Sequence, residues 1–138
     1  MTYVEVAWWL ETNLEPLTTR VEVESTSGVR EVVVRNCQLA YRRSTGIREP
    51  ITIYLGDVQE VRTRAVRLGT AAIQVRWVWI EGRDPRWLQS RGFGGDYLAE
   101  TSLGFRREQT AREDAEIVAA AIEHIVDLCP ASREAGHS

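Results

Sequence analysis

The chain contains no lysine: all 17 of its basic residues are arginine. That absence excludes a Schiff-base lysine, a lysine general base and a lysine-dependent phosphate loop. It also changes the surface chemistry, because the planar arginine fork grips carboxylates or phosphates bidentately. Histidine is nearly as scarce, with only His124 and His137. A hydrolytic triad needs a histidine held by an acid and touching a nucleophile, and nothing in the sequence positions one. Cysteine occurs twice, at Cys37 and Cys129, too few for the disulfide framework of a small secreted domain. Both read as buried free thiols. The cysteines and histidines lack the paired spacing of a zinc site, so no metal and no other cofactor is expected. No run of about 18 apolar residues exists, so no transmembrane segment is expected. Met1-Thr2-Tyr3-Val4-Glu5 lacks the basic region of a signal peptide, and a cytoplasmic location is the resulting expectation.

What is present suits one soluble domain. The 138 residues are 43% hydrophobic and 27% charged, which allows a true core under an ordinary surface. The net charge of −3 gives no global attraction to nucleic acid or anionic membrane. Residues 1–130 read as a single domain and residues 131–138 as a disordered tail.

Most of the chain reads as strands. Val4, Val6, Trp8 and Leu10 alternate with Glu5, Ala7 and Trp9, the two-residue period of a half-buried strand, and Asn13-Leu14-Glu15-Pro16 breaks it. Residues 19–24 alternate again before the turn cluster Ser25-Thr26-Ser27-Gly28. Over residues 30–43, Val32 and Val34 share one parity and Cys37, Leu39 and Tyr41 the other. The switch near Arg35-Asn36 predicts a bulge or short turn. Ile51, Ile53 and Leu55 form one face of the next strand. Residues 58–68 are extended and dotted with Arg62, Arg64 and Arg67. Residues 71–80 give the strongest strand, with Ile73, Val75, Trp77 and Trp79 on one face; Val78 and Ile80 suggest cover on the other. Residues 81–96 read as the longest loop, and a last strand runs from about 97 to 107.

The C-terminal helix is the clearest element. Ala111, Ala115, Val118, Ile122, Ile125 and Cys129 recur at four and three, an apolar stripe that Ile117, Ala121 and Leu128 widen. Thr110 and Glu113 fit a capping box, and Pro130 stops the helix.

No catalytic set stands out. Arg91-Gly92-Phe93-Gly94-Gly95-Asp96 is glycine-rich but lacks the strand-then-helix context of a phosphate cradle. Arg83, Arg86, Trp87 and Arg91 cluster in the long loop, as a basic aromatic contact surface or as a plug for the β structure. Tryptophan and arginine are the residues most enriched in interface hot spots. Arg42, Arg43 and Arg48 gather around the turn at Ser44-Thr45-Gly46, as an anion-binding cluster or as a solvated hairpin tip.

Val32-Val33-Val34-Arg35-Asn36-Cys37-Gln38-Leu39-Ala40-Tyr41-Arg42-Arg43, followed by Ile51-Thr52-Ile53-Tyr54-Leu55-Gly56-Asp57-Val58-Gln59-Glu60-Val61, resembles the GRAM and bacterial pleckstrin-homology-like group. That group carries a leucine–aromatic strand end, a turn, an I-x-I-x-L-x-D-V/I strand and a closing amphipathic helix. Trp8-Trp9 and the 81–96 loop lie outside the pattern. The resemblance implies an α+β, mainly β fold: a PH-like bent sandwich or partly open barrel of about seven antiparallel strands with a C-terminal helix. It also implies a non-enzymatic scaffold. The expected function is a binding module acting through protein–protein contact or self-assembly into a homo-oligomer. An anionic lipid headgroup is the second expected ligand, and a small enzyme with an unseen cleft is the third reading. Nucleic acid is not an expected partner.

Overall fold

A computed structural model of the chain describes residues 1–18, 29–43, 50–67, 70–80, 89–91, 97–105 and 110–130. The architecture is α+β and mainly β, with antiparallel strands in two sheets and a helix near each end of the described chain.

The largest correction falls at the start. Tyr3–Thr18 is a helix, α1, where alternation predicts a strand. Residues 4–10 satisfy both periods, because apolar residues occupy both parities. The longer stripe decides: Tyr3, Val6, Ala7, Leu10, Leu14 and Leu17 recur at three and four and continue past Asn13. Val6, Ala7, Leu10 and Leu14 are buried. Pro16 lies in the last turn, where it removes one helical bond without ending the helix. Thr18 closes α1 and starts the sheet: its hydroxyl donates to the Leu14 carbonyl at 2.8 Å and accepts the Val29 N–H at 3.1 Å.

The first sheet has the order β1 (Val29–Arg35), β2 (Gln38–Arg43), β3 (Ile51–Tyr54). The parity switch near Arg35-Asn36 is a two-residue hairpin turn. Asn36 and Cys37 take φ of 50° and 58°, the left-handed pair that matches strand twist. Glu31, at φ 54°, marks a bulge where the β1–β2 register shifts. A single 3-10 turn, Leu55–Asp57, passes the chain to the second sheet.

That sheet has the order β4 (Val58–Arg67), β5 (Thr70–Val78), β7 (Tyr97–Phe105), β6 (Gln89–Arg91). The three-residue β6 lies inside the stretch that reads as loop, a further correction. Along β5, Ala71, Ile73, Val75 and Trp77 are buried while Gln74 and Arg76 are half-buried. The second face is therefore polar: Arg76 bonds Glu100 at 2.9 Å and approaches Glu60 at 3.5 Å, and Arg62 pairs with Glu60 at 2.9 Å.

The closing helix α2, Ala111–Asp127, buries Ala111, Ala115, Val118, Ile122 and Ile125, as the stripe predicts. Thr110 does not cap it. The threonine hydroxyl donates to the Asp114 carboxylate at 3.0 Å instead. One buried cluster draws on both helices and both sheets.

The free-thiol reading of the cysteines is also overturned. Cys37 and Cys129 form a disulfide, with Cα atoms 5.8 Å apart. The fold brings the β1–β2 turn to the end of α2, a proximity that no local pattern encodes.

Candidate interaction surface

Both helices carry more apolar surface than the sheets can cover. On α1, Val4 and Trp8 stand one turn apart on the outer strip and are 74% and 65% exposed. The strand reading places them with buried Val6 and Leu10; the helix separates them by rotation. On α2, Ile117 is 54% exposed and Leu128 is also exposed. These flanking residues do not widen the sheet-facing stripe, as their spacing suggests, but face the other way.

Between the two helices, on the Trp9 side of α1, lies a cavity of about 340 Å³. Val6 and Trp9 line it from α1, and Ile117, Ala120, Ala121 and His124 line it from α2. Its size sits at the low end of ligand cavities, about 300–1,000 Å³, enough for one or two apolar anchors. Two links hold the start of α1 beside the end of α2. His124 Nε2–H donates to the Met1 carbonyl at 2.8 Å. The Tyr3 hydroxyl accepts the N–H of Cys37, which is bonded in turn to Cys129. His124 is the one titratable side chain among the cavity's lining residues.

The arginines singled out by sequence fall elsewhere. Arg42 forms a 2.8 Å ion pair with Glu31 on the hairpin. Arg43 spans the two sheets: Nη1–H donates to the Ser102 carbonyl at 2.7 Å and Nη2–H to Thr101 Oγ1 at 3.0 Å. Its guanidinium also lies 5.7 Å from the centre of the Tyr41 ring, within cation–π range. The Tyr41 hydroxyl is buried and bonded to the Thr101 hydroxyl. Burial pushes its pKa up, against the smaller opposing effects of Arg43 and Thr101. Arg43 is thus committed to joining β2 with β7. Arg48, Arg83, Arg86 and Trp87 lie outside the described residues, as do the 19–28 segment, the glycines at 92–95 and the 131–138 tail. Arg91 ends β6, and its side chain is outside the description. Among the described residues, no three of His, Cys, Asp and Glu gather as metal ligands. No helix among them is long and apolar enough to cross a membrane.

The chain matches no protein-family model, no curated protein and no solved structure.

Proposed function

We propose that the chain is a non-enzymatic binding module on a PH-like framework, and that its contact surface is the outer face of α1 and α2. Support for the framework is the placing of the quoted motifs on β1–β4, together with the covering C-terminal helix. The observation that carries the function is the apolar cavity between α1 and α2, lined by Val6, Trp9 and the exposed Ile117. Contiguous apolar surface of this kind marks interaction sites more often than an isolated exposed residue does. A lining with a single titratable group suits recognition of an apolar side chain better than acid–base chemistry. The headgroup reading has less support, because Arg42 and Arg43 already hold protein partners.

The Cys37–Cys129 bridge favours an oxidising compartment, where such bonds persist, over the cytoplasm read from the sequence. Alkylation of the protein in intact cells before lysis reads this directly: no free thiol is the expected result.

Panning a helical peptide library against the full chain, with the Ile117→Asp protein as counter-target, tests the surface. Enrichment lost on Ile117→Asp supports it. Enrichment insensitive to Ile117→Asp moves the contact to another face, and no enrichment overturns the reading.

A further inference from the structure

The two helices hold a charge distribution that the whole-chain value of −3 conceals. Together α1 and α2 carry eight carboxylates and one arginine, Arg112. The rest of the chain carries 16 arginines against 12 carboxylates. The helical layer is therefore strongly acidic, on a chain whose other elements are net basic.

Four of these acids border the apolar groove. Glu116, Glu123 and Asp127 run along the outer flank of α2, beside the strip that holds Ala120 and His124. On α1, Glu5 lies one turn before Trp9 on the same flank, whereas Glu11 and Glu15 fall on the flank that carries Val4 and Trp8. All six are exposed. Glu116 meets Arg112 at 3.4 Å, an exposed pair of the kind that contributes little. An apolar trough between two helices, bordered by Glu116, Glu123 and Asp127 on α2 and by Glu5 on α1, is complementary to one class of ligand. We infer that the groove takes a basic amphipathic helix, whose apolar stripe seats over Trp9 and Ile117 and whose flanking arginines or lysines meet the acidic rim. This inference rests on the reading of the α1–α2 face as the contact surface.

Electrostatics argue against the other occupants. Face-to-face pairing of two copies would bring the same acidic rims together, which disfavours a symmetric dimer through this face. Anionic lipid and nucleic acid carry the sign that the rim repels. Helix-in-groove recognition reads anchors at i, i+3 or i+4 and i+7, the spacing that a trough along two helices requires.

Three synthetic peptides of about five helical turns provide the probes, titrated calorimetrically into the oxidised full chain. The first has a leucine stripe flanked by arginine. The second has the same stripe flanked by glutamate. The third has the composition of the first, scrambled to lose the stripe. The first is expected to bind, more weakly as salt rises, with the other two on the order of tenfold weaker or more. Ile117→Asp should abolish this binding. Glu116→Arg with Glu123→Arg should weaken the first peptide and strengthen the second, and circular dichroism confirms that each variant is folded. Equal binding of the first two peptides, lost in Ile117→Asp, overturns the basic partner and leaves the groove standing. Equal binding of the first and third reduces the effect to bulk charge attraction and overturns the inference. Binding of none overturns both this inference and the contact surface itself.

Discussion

Cys37 and Cys129 are bonded across 92 residues of sequence, and Cys37 is the point at which four parts of the fold are fastened. Its sulfur holds the residue just past α2. Its N–H donates to the Tyr3 hydroxyl on α1 at 2.9 Å, and its carbonyl accepts the Leu55 N–H of the 3-10 turn at 2.9 Å. It does this from a left-handed backbone conformation that non-glycine residues adopt only when their surroundings hold them there. The turn between β1 and β2 is thus the anchor for both helices of the proposed contact face.

Removing the bridge should therefore be costly. A cross-link closing a loop of this length constrains the unfolded chain by roughly 4–5 kcal/mol in the chain-entropy picture. Cys37→Ala with Cys129→Ala should lower the unfolding free energy by an amount near that value, read from urea titration, with a steeper slope because the unfolded chain without the cross-link exposes more surface. Reduction of the native protein should have a similar effect. An unshifted midpoint would show that packing alone holds α2 against the hairpin.

The elements with one unambiguous period were legible in the sequence. The α2 stripe from Ala111 to Ile125 and the alternation of Ala71, Ile73, Val75 and Trp77 each fit a single geometry. Residues 4–10 fit two, and only the continuation through Leu14 and Leu17 separates them. The Thr-x-x-Glu signature at Thr110 and Glu113 drew attention to the wrong helix, since Thr2 and Glu5 make the reciprocal bonds instead. The groove was not legible, because Trp9 and Ile117 are 108 positions apart and meet only through tertiary packing. The disulfide was hidden for the same reason.

The helical assignment of the first segment has a sharp consequence for substitution. Leu10 is fully buried in the common core, so Leu10→Ala should destabilise by about 2–5 kcal/mol. Val4 shares its parity but is 74% exposed, so Val4→Ala should stay within about 0.5 kcal/mol. A strand would make the two losses comparable. Denaturant titration of both variants decides between the two.

The start of α1 should respond to acid. Glu5 Oε1 accepts the Thr2 N–H at 3.1 Å, and the Glu5 N–H donates to Thr2 Oγ1 at 3.3 Å. The bond from the Thr2 backbone, with the Thr2 side chain next, holds the Glu5 carboxyl below its ordinary pKa of 4.5. A carboxyl whose pKa is lowered by folding contributes above its unfolded value and loses that contribution as pH falls through the folded one. Amide exchange in the first turn of α1 should therefore accelerate below about pH 4.5 relative to the rest of the helix, after correction for intrinsic rates. Glu5→Gln should weaken this dependence. Equal acid responses in the two proteins would remove Glu5 as its source.

The second titration lies at the other end of the pH scale, at the join between the sheets. Tyr41 is buried on β2, bonded to Thr101 on β7, and covered by Arg43, which itself bonds Thr101 and Ser102. Burial raises the phenol above its ordinary value of 10.0. An acid with a raised folded pKa is neutral in both states below the unfolded value, so its contribution to stability is complete there. As pH rises past 10, the unfolded chain gives up the proton first, and stability falls until the folded pKa is passed. Tyr41→Phe removes the ionisable group and one hydrogen bond, while Thr101 keeps its bond from Arg43. Near neutral pH the variant should lose only about 1 kcal/mol. Between pH 9 and pH 11 its urea midpoint should fall less steeply than that of the native chain, so the two curves converge. Parallel curves would mean that the alkaline loss arises elsewhere, and that the buried Tyr41 hydroxyl is not the group that opens the sheets.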